Sequence, residues 1–148
     1  MSTRRRAREI ALQVLYQLDL DPEDPKKVLE RHWENFRPSE QAREFCARLV
    51  EGVLQNLGEI DRLVEANSEN WTLKRMAVVD RNILRLAVFE LRFCPDIPFK
   101  ATLNEAVELA KKFGADDSSA FINGVLDRIH TVLEQTLKDN PDIPWAKT

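Results

Sequence analysis

The sequence predicts an all-α fold, a compact bundle of about seven helices. Three observations carry this expectation. Apolar residues recur at three- and four-residue spacing through most of the chain. Only four glycines occur in 148 residues. No stretch alternates apolar and polar residues as a half-buried strand does. The length suits one domain with a sizeable core, and 43% hydrophobic with 32% charged residues is the profile of a globular protein.

The first helix is expected over residues 3–18, stopping near "DLDPEDP". Asp24 can cap the second, with Pro25 in the favoured first helical position, and that helix should end near "FRP". Ser39 can cap the third, "EQAREFCARLVEGVLQNL", and "EIDRLVEAN" gives a short fourth. Thr72 is a candidate cap for "LKRMAVV". A longer helix covers residues 80–93 and is apolar almost all round, which predicts a central position. Arg85 inside it then needs a partner such as Glu90 or a helix C-terminus. "CPDIPFKA" breaks the pattern with two prolines. In "TLNEAVELAKKFG", Thr102 and Glu105 have capping-box spacing and Gly114 sits at a C-cap position. The last helix is expected over residues 117–137. Gly124 within it suggests a close helix contact. Residues 1–138 form one domain, and residues 139–148 are expected to be a loose tail.

No apolar stretch approaches the roughly 18 residues that cross a bilayer, and no apolar signal-peptide core follows the N-terminal arginines. Cys46 and Cys94 stand in no motif, which predicts reduced, core-filling thiols in the cytoplasm. His32 and His130 are isolated, with no second ligand at metal spacing. There is no glycine-rich phosphate loop. No enzyme activity, metal or cofactor is expected. Trp33 and Trp71 read as core or hinge anchors, and Trp145 as a tail residue.

The charge distribution is uneven. The chain carries 22 Lys+Arg against 25 Asp+Glu, yet Arg4, Arg5, Arg6 and Arg8 stand among its first eight residues with no acid. That leaves 18 basic against 25 acidic residues elsewhere. A compact basic end on an acidic body suggests a localised anion site. On a helical wheel, Ala7, Ile10, Ala11, Val14, Leu15 and Leu18 make the core stripe. Arg5, Arg8, Leu12, Tyr16 and Asp19 share another flank. Four readings of that flank stand: a solvated helix end, a membrane-surface anchor, a face for an acidic protein, and a nucleic-acid site. For the last, arginines fork onto phosphate and Tyr16 offers a stacking surface, which favours single strands. Four arginines at a helix N-terminus also work against the helix dipole, a local cost that an arriving polyanion offsets.

Two further stretches point to a family. "WTLKRMAVVDRNILRLAVFELRF" and "DIPFKATLNEAVELAKKFGADDSSAFINGVLDRI", with "RRRAREIALQVLYQLD" at the start, closely resemble the NusB family of bacterial transcription antitermination factors. The most specific parts are "VDRNILRLAVFEL", "NEAVELAKKFG" and "FINGVLDRI", in the family's order. The resemblance implies two small packed helical bundles. It implies binding of the boxA segment of nascent RNA together with NusE, a small-subunit ribosomal protein. The pair would help RNA polymerase, with other Nus factors, read through terminators, especially in ribosomal RNA operons.

Position by position, the resemblance implies that Arg4, Arg5, Arg6 and Arg8 are RNA-binding. It places Tyr16 near both RNA and protein partner, Asp80 on the NusE-facing side, and Asp117, Ser118 and Phe121 along the RNA site. Taken alone, Phe121 reads equally as edge packing. Relatives often carry a lysine where this chain has Ala120, which removes one phosphate contact. Lys111 and Lys112 read as a solvated helix end. The alternative function is a protein-only helical scaffold, such as a homodimer burying Tyr16 and the arginine flank.

Overall fold

The computed structural model describes residues 2–69 and 71–139. Among these, seven α-helices follow one another with no strand: α1 (Thr3–Leu20), α2 (Pro25–Phe36), α3 (Glu40–Gln55), α4 (Leu57–Ala66), α5 (Val78–Phe93), α6 (Phe99–Phe113) and α7 (Ser118–Asp139). A single 3₁₀ turn, Leu73–Arg75, precedes α5. The loose tail expected over 139–148 lies, beyond Asp139, outside the described residues, and so does Trp145.

Side-chain caps start the first three helices. Ser2 accepts the Arg5 N–H, Asp24 the Lys26 N–H, and Ser39 the Ala42 N–H. Pro25 opens α2, as its fixed φ and missing N–H favour. Thr72 precedes the 3₁₀ turn without a side-chain cap bond. The capping box expected at Thr102 and Glu105 is not made. α6 begins a turn earlier, at Phe99, with Pro98 before it. Thr102 is therefore inside the helix and buried, and its hydroxyl donates to Glu90 at 3.0 Å.

The core is built around α5, which packs on α1, α3, α4, α6 and α7. Ile83, Leu84, Leu86 and Val88 are all buried there, as the nearly all-round apolar pattern predicts. α1 packs on α2, α3 and α5, so an N-terminal group of three helices sits against a C-terminal group centred on α5. The ring of Phe89 lies 2.2 Å from where a Cβ on Gly52 would stand, so α3 approaches α5 only because residue 52 has no side chain. Gly124 differs from expectation: a Cβ there meets only the Arg128 guanidinium at 3.9 Å, so it mediates no close helix contact. Trp33 is half-buried, but Trp71 is 49% exposed and anchors no core.

Cys46 and Cys94 are buried and free. Burial pushes their thiols up to about 12 and about 11, so neither is a reactive thiolate near neutral pH.

Arg85 finds partners other than Glu90. Its guanidinium forks onto Asp61 at 2.9 and 3.0 Å and reaches Asp19 at 3.0 Å. Five residues along a helix turn a side chain by roughly 140°, so Arg85 and Glu90 face different neighbours. Asp19 also takes a forked pair from Arg81, at 2.7 and 2.8 Å, and an N–H from Asn82 at 2.9 Å. Burial alone would raise the Asp19 carboxyl. The hydrogen bonds from Arg81 and Asn82, with the Arg85 charge, instead hold it below its ordinary range. This network ties the end of α1 to α4 and α5.

Candidate nucleic-acid interface

The basic start of α1 divides into two kinds of arginine. Arg8 is sealed: its side chain is 7% exposed and forks onto Glu90, itself 2% exposed, at 2.9 and 2.7 Å. Glu105 lies 3.7 Å from the same guanidinium. The wheel puts Arg5, Arg8, Leu12 and Tyr16 on one flank, and the flank is there, but neighbouring helices cover it at Arg8 and Leu12 and leave its two ends, Arg5 and Tyr16, exposed. Leu12 is buried with it. Arg8 is thus committed to the fold, which corrects the expectation that it presents itself to RNA.

Of the other three, Arg4 and Arg5 are exposed and Arg6 is half-buried. Arg5 forks onto Glu105 of α6 at 3.0 and 2.7 Å, and that bond, the largest influence on Glu105, holds its carboxyl below the usual range. Arg4 makes one long contact, 3.5 Å, with Asp96 in the α5–α6 loop. Its guanidinium also lies 4.8 Å above the Phe45 ring. Arg6 lies 4.8 Å above the Phe36 ring. Lys112 does not join them, because it binds the buried Glu9 at 2.9 and 3.1 Å. Lys111 faces Glu108 at 3.6 Å in solvent.

Tyr16 is 39% exposed and stands about 16 Å along α1 from Arg5, at 1.5 Å per residue. It edges a groove of about 610 Å³ lined with Leu12, Leu20, Val79 and Phe113. A ligand touching both Tyr16 and the arginines must be extended.

Asp80, Asp117 and Ser118 meet where the first turns of α5 and α7 converge. Asp80 is half-buried, and its Oδ1 is shut from solvent and finds no hydrogen-bond partner among the described residues. Burial pushes its carboxyl up from the ordinary value. The nearby Ser118 hydroxyl opposes this shift and the Asp117 charge adds to it. Ser118 is buried, and its Oγ accepts the Ala115 N–H at 2.9 Å. A Cβ on Gly114 would stand 2.7 Å from that Oγ, so the turn closes only around glycine. Ser118 therefore shapes the α6–α7 turn and offers nothing at the surface, a second correction. Asp117 is exposed, and Phe121 is half-buried against the core.

Sequence reasoning missed Asp96, Glu105 and Arg48, which join this region from loops and helices far along the chain. Glu105 had a helical signal, but as a cap. Asp96 stood between two prolines with nothing to tie it to α1.

The NusB family model matches residues 5–131. The chain belongs to the NusB family. It is 54% identical to the transcription antitermination protein NusB of Geotalea uraniireducens, across 90% of this chain and 97% of that protein. It is 48% identical to NusB of Myxococcus xanthus, across 91% and 99%. Among solved structures, a NusB of T. maritima matches with a TM-score of 0.81 and 41% identity, over 86% of this chain and 90% of that one. A NusB crystallised with NusE and double-stranded RNA matches with a TM-score of 0.82 and 32% identity, over 89% and 98%. The NusB fold, two packed helical groups, is thus the one this sequence adopts.

Proposed function

We propose that this NusB-family protein is a transcription antitermination factor of the cytoplasm. It binds boxA-type single-stranded RNA together with NusE and promotes read-through by RNA polymerase, especially in ribosomal RNA operons. It performs no catalysis and needs no cofactor. One observation carries the reading: three arginines, the exposed Arg4 and Arg5 and the half-buried Arg6, follow one another in the first turn of α1 in a chain of net charge −3. The likeness to a NusB seen with NusE and RNA supports it.

Arg4, Arg5 and Arg6 neutralise phosphates, and the N-terminus of α1 adds its dipole. Tyr16, and the exposed part of Phe121, offer ring surface on which unpaired bases stack. Arg8 holds α1 in place from within. Asp80 and Asp117, together at the first turns of α5 and α7, give an acidic spot that suits a basic ribosomal protein. RNA and NusE on one surface raise each other's affinity by widening the interface.

Three phosphate contacts on a single strand give a slope of log K against log salt of about −2. A gel-shift titration with boxA single strand, the same sequence as duplex, and scrambled RNA, each with and without NusE, tests the reading. Preference for the boxA strand, tightened by NusE, is expected. Equal binding of all three RNAs contradicts it. A dimer indifferent to RNA in size-exclusion chromatography would favour the scaffold alternative.

A further inference from the structure

We propose that Arg48 of α3 and Arg4 of α1 form a phosphate subsite for the RNA backbone, with the Asp96 carboxylate as its displaceable internal stand-in; this rests on the RNA-binding reading above. Asp96 sits between two cations from separate helices. Its Oδ1 takes an N–H from Arg48 at 3.2 Å and its Oδ2 one from Arg4 at 3.5 Å. One negative charge thus bridges two positive ones, which leaves the cluster formally +1. The carboxylate marks where two guanidiniums converge on a single oxyanion, the geometry that a phosphodiester with its two free oxygens satisfies.

The contrast with Arg8 shows why this site can exchange its occupant. Arg8 and Glu90 are forked and sealed, whereas each contact here is a single long bond, with Arg48 42% and Asp96 49% exposed. Exposed pairs of this kind hold weakly. The Arg48 hydrogen bond keeps the Asp96 carboxyl below its usual range, so it stays charged and must leave by moving aside, not by taking a proton. Room is present. A cavity of about 510 Å³ opens beside the pair, with Thr3, Gln41 and Phe45 on its walls. The Phe45 ring supports the Arg4 guanidinium from below. Among the described residues Glu44 is the one acidic side chain on that wall, so the strand enters from the α1 side. The site extends the footprint from the start of α1 onto α3, away from Tyr16.

Fluorescence anisotropy with labelled boxA single strand, over a salt series, tests the subsite in the full chain. The variants are Arg48→Ala, Asp96→Asn and, as a remote control, Arg31→Ala, with circular dichroism to verify folding. Arg48→Ala is expected to weaken binding about fivefold and to lessen the salt slope by less than about 0.7, since Arg4 still meets the shared phosphate. Asp96→Asn, which frees both guanidiniums, is expected to tighten binding by about two- to fivefold. Arg31→Ala should match wild type. An Arg48→Ala variant that behaves like Arg31→Ala, or an Asp96→Asn variant that does not gain, overturns the subsite alone. Wild type without RNA affinity overturns the RNA reading and the subsite with it.

Discussion

Arg8 and Glu90 face each other across the α1–α5 contact as a forked ion pair, closed to solvent on both sides, with the Thr102 hydroxyl as a third member. A buried pair of this kind contributes little beyond what apolar residues would, but removing one member strands the other. Arg8→Ala is expected to lose about 3–5 kcal/mol in urea unfolding. Arg8→Met combined with Glu90→Leu should recover most of that loss. RNA affinity of the double variant should stay near wild type, because Arg8 supports the helix and does not touch phosphate.

Two glycines on helices should respond to alanine with opposite signs. At Gly52 the new methyl would enter the Phe89 ring, so Gly52→Ala is expected to cost about 1–3 kcal/mol through overpacking. At Gly124 the methyl has space, so Gly124→Ala should gain up to about 1 kcal/mol from helix propensity. Thermal unfolding of both variants checks the pair.

Asp19 should make the fold sensitive to acid. Its carboxyl is lowered from the ordinary value of 3.8 by Arg81, Asn82 and Arg85, which overcome burial. A carboxyl that is lower folded than unfolded contributes stability fully above the unfolded value. That contribution is lost as pH falls from about 4 through the folded value. Asp19→Ala is therefore expected to cost about 3 kcal/mol at pH 7, and the gap to wild type should narrow below pH 4. Urea midpoints at a series of pH values report it.

Asp80 carries the opposite sign. Its carboxyl is raised by burial, so the folded state binds a proton more readily than the unfolded chain. Stability then falls as pH rises from the unfolded value through the raised folded one, and the full penalty stands at neutral pH. Asp80→Asn should raise the melting temperature at pH 7 and have less effect in acid. If Asp80 also meets a basic partner, the same variant should weaken NusE binding.

Most of the fold was legible because helix signals are local. Asp24 and Ser39 announce their helices in the residues beside them, and the apolar ring of residues 83–91 announces a central helix. What failed depended on distant contacts. Thr102 has the right spacing for a cap, but Pro98 starts the helix earlier and Glu90 claims the hydroxyl. Arg8 looks like its three neighbours in sequence, and only the packing of α5 and α6 separates it from them. The arginine cluster could be read from composition. Its carboxylate partners, Asp96 and Glu105, lie some ninety to a hundred residues away, beyond any periodic signal. Ser118 reads as a surface contact until the α6–α7 turn is seen to close around Gly114.

The central claim is that the surface start of α1 is where RNA binds. The direct measurement is the affinity for boxA single strand, as a function of salt, of wild type and of the triple variant Arg4→Ala, Arg5→Ala, Arg6→Ala with its helical circular dichroism unchanged. Loss of most of the affinity together with a slope falling toward zero is the predicted result. Binding that survives in the folded triple variant with the wild-type slope would contradict it.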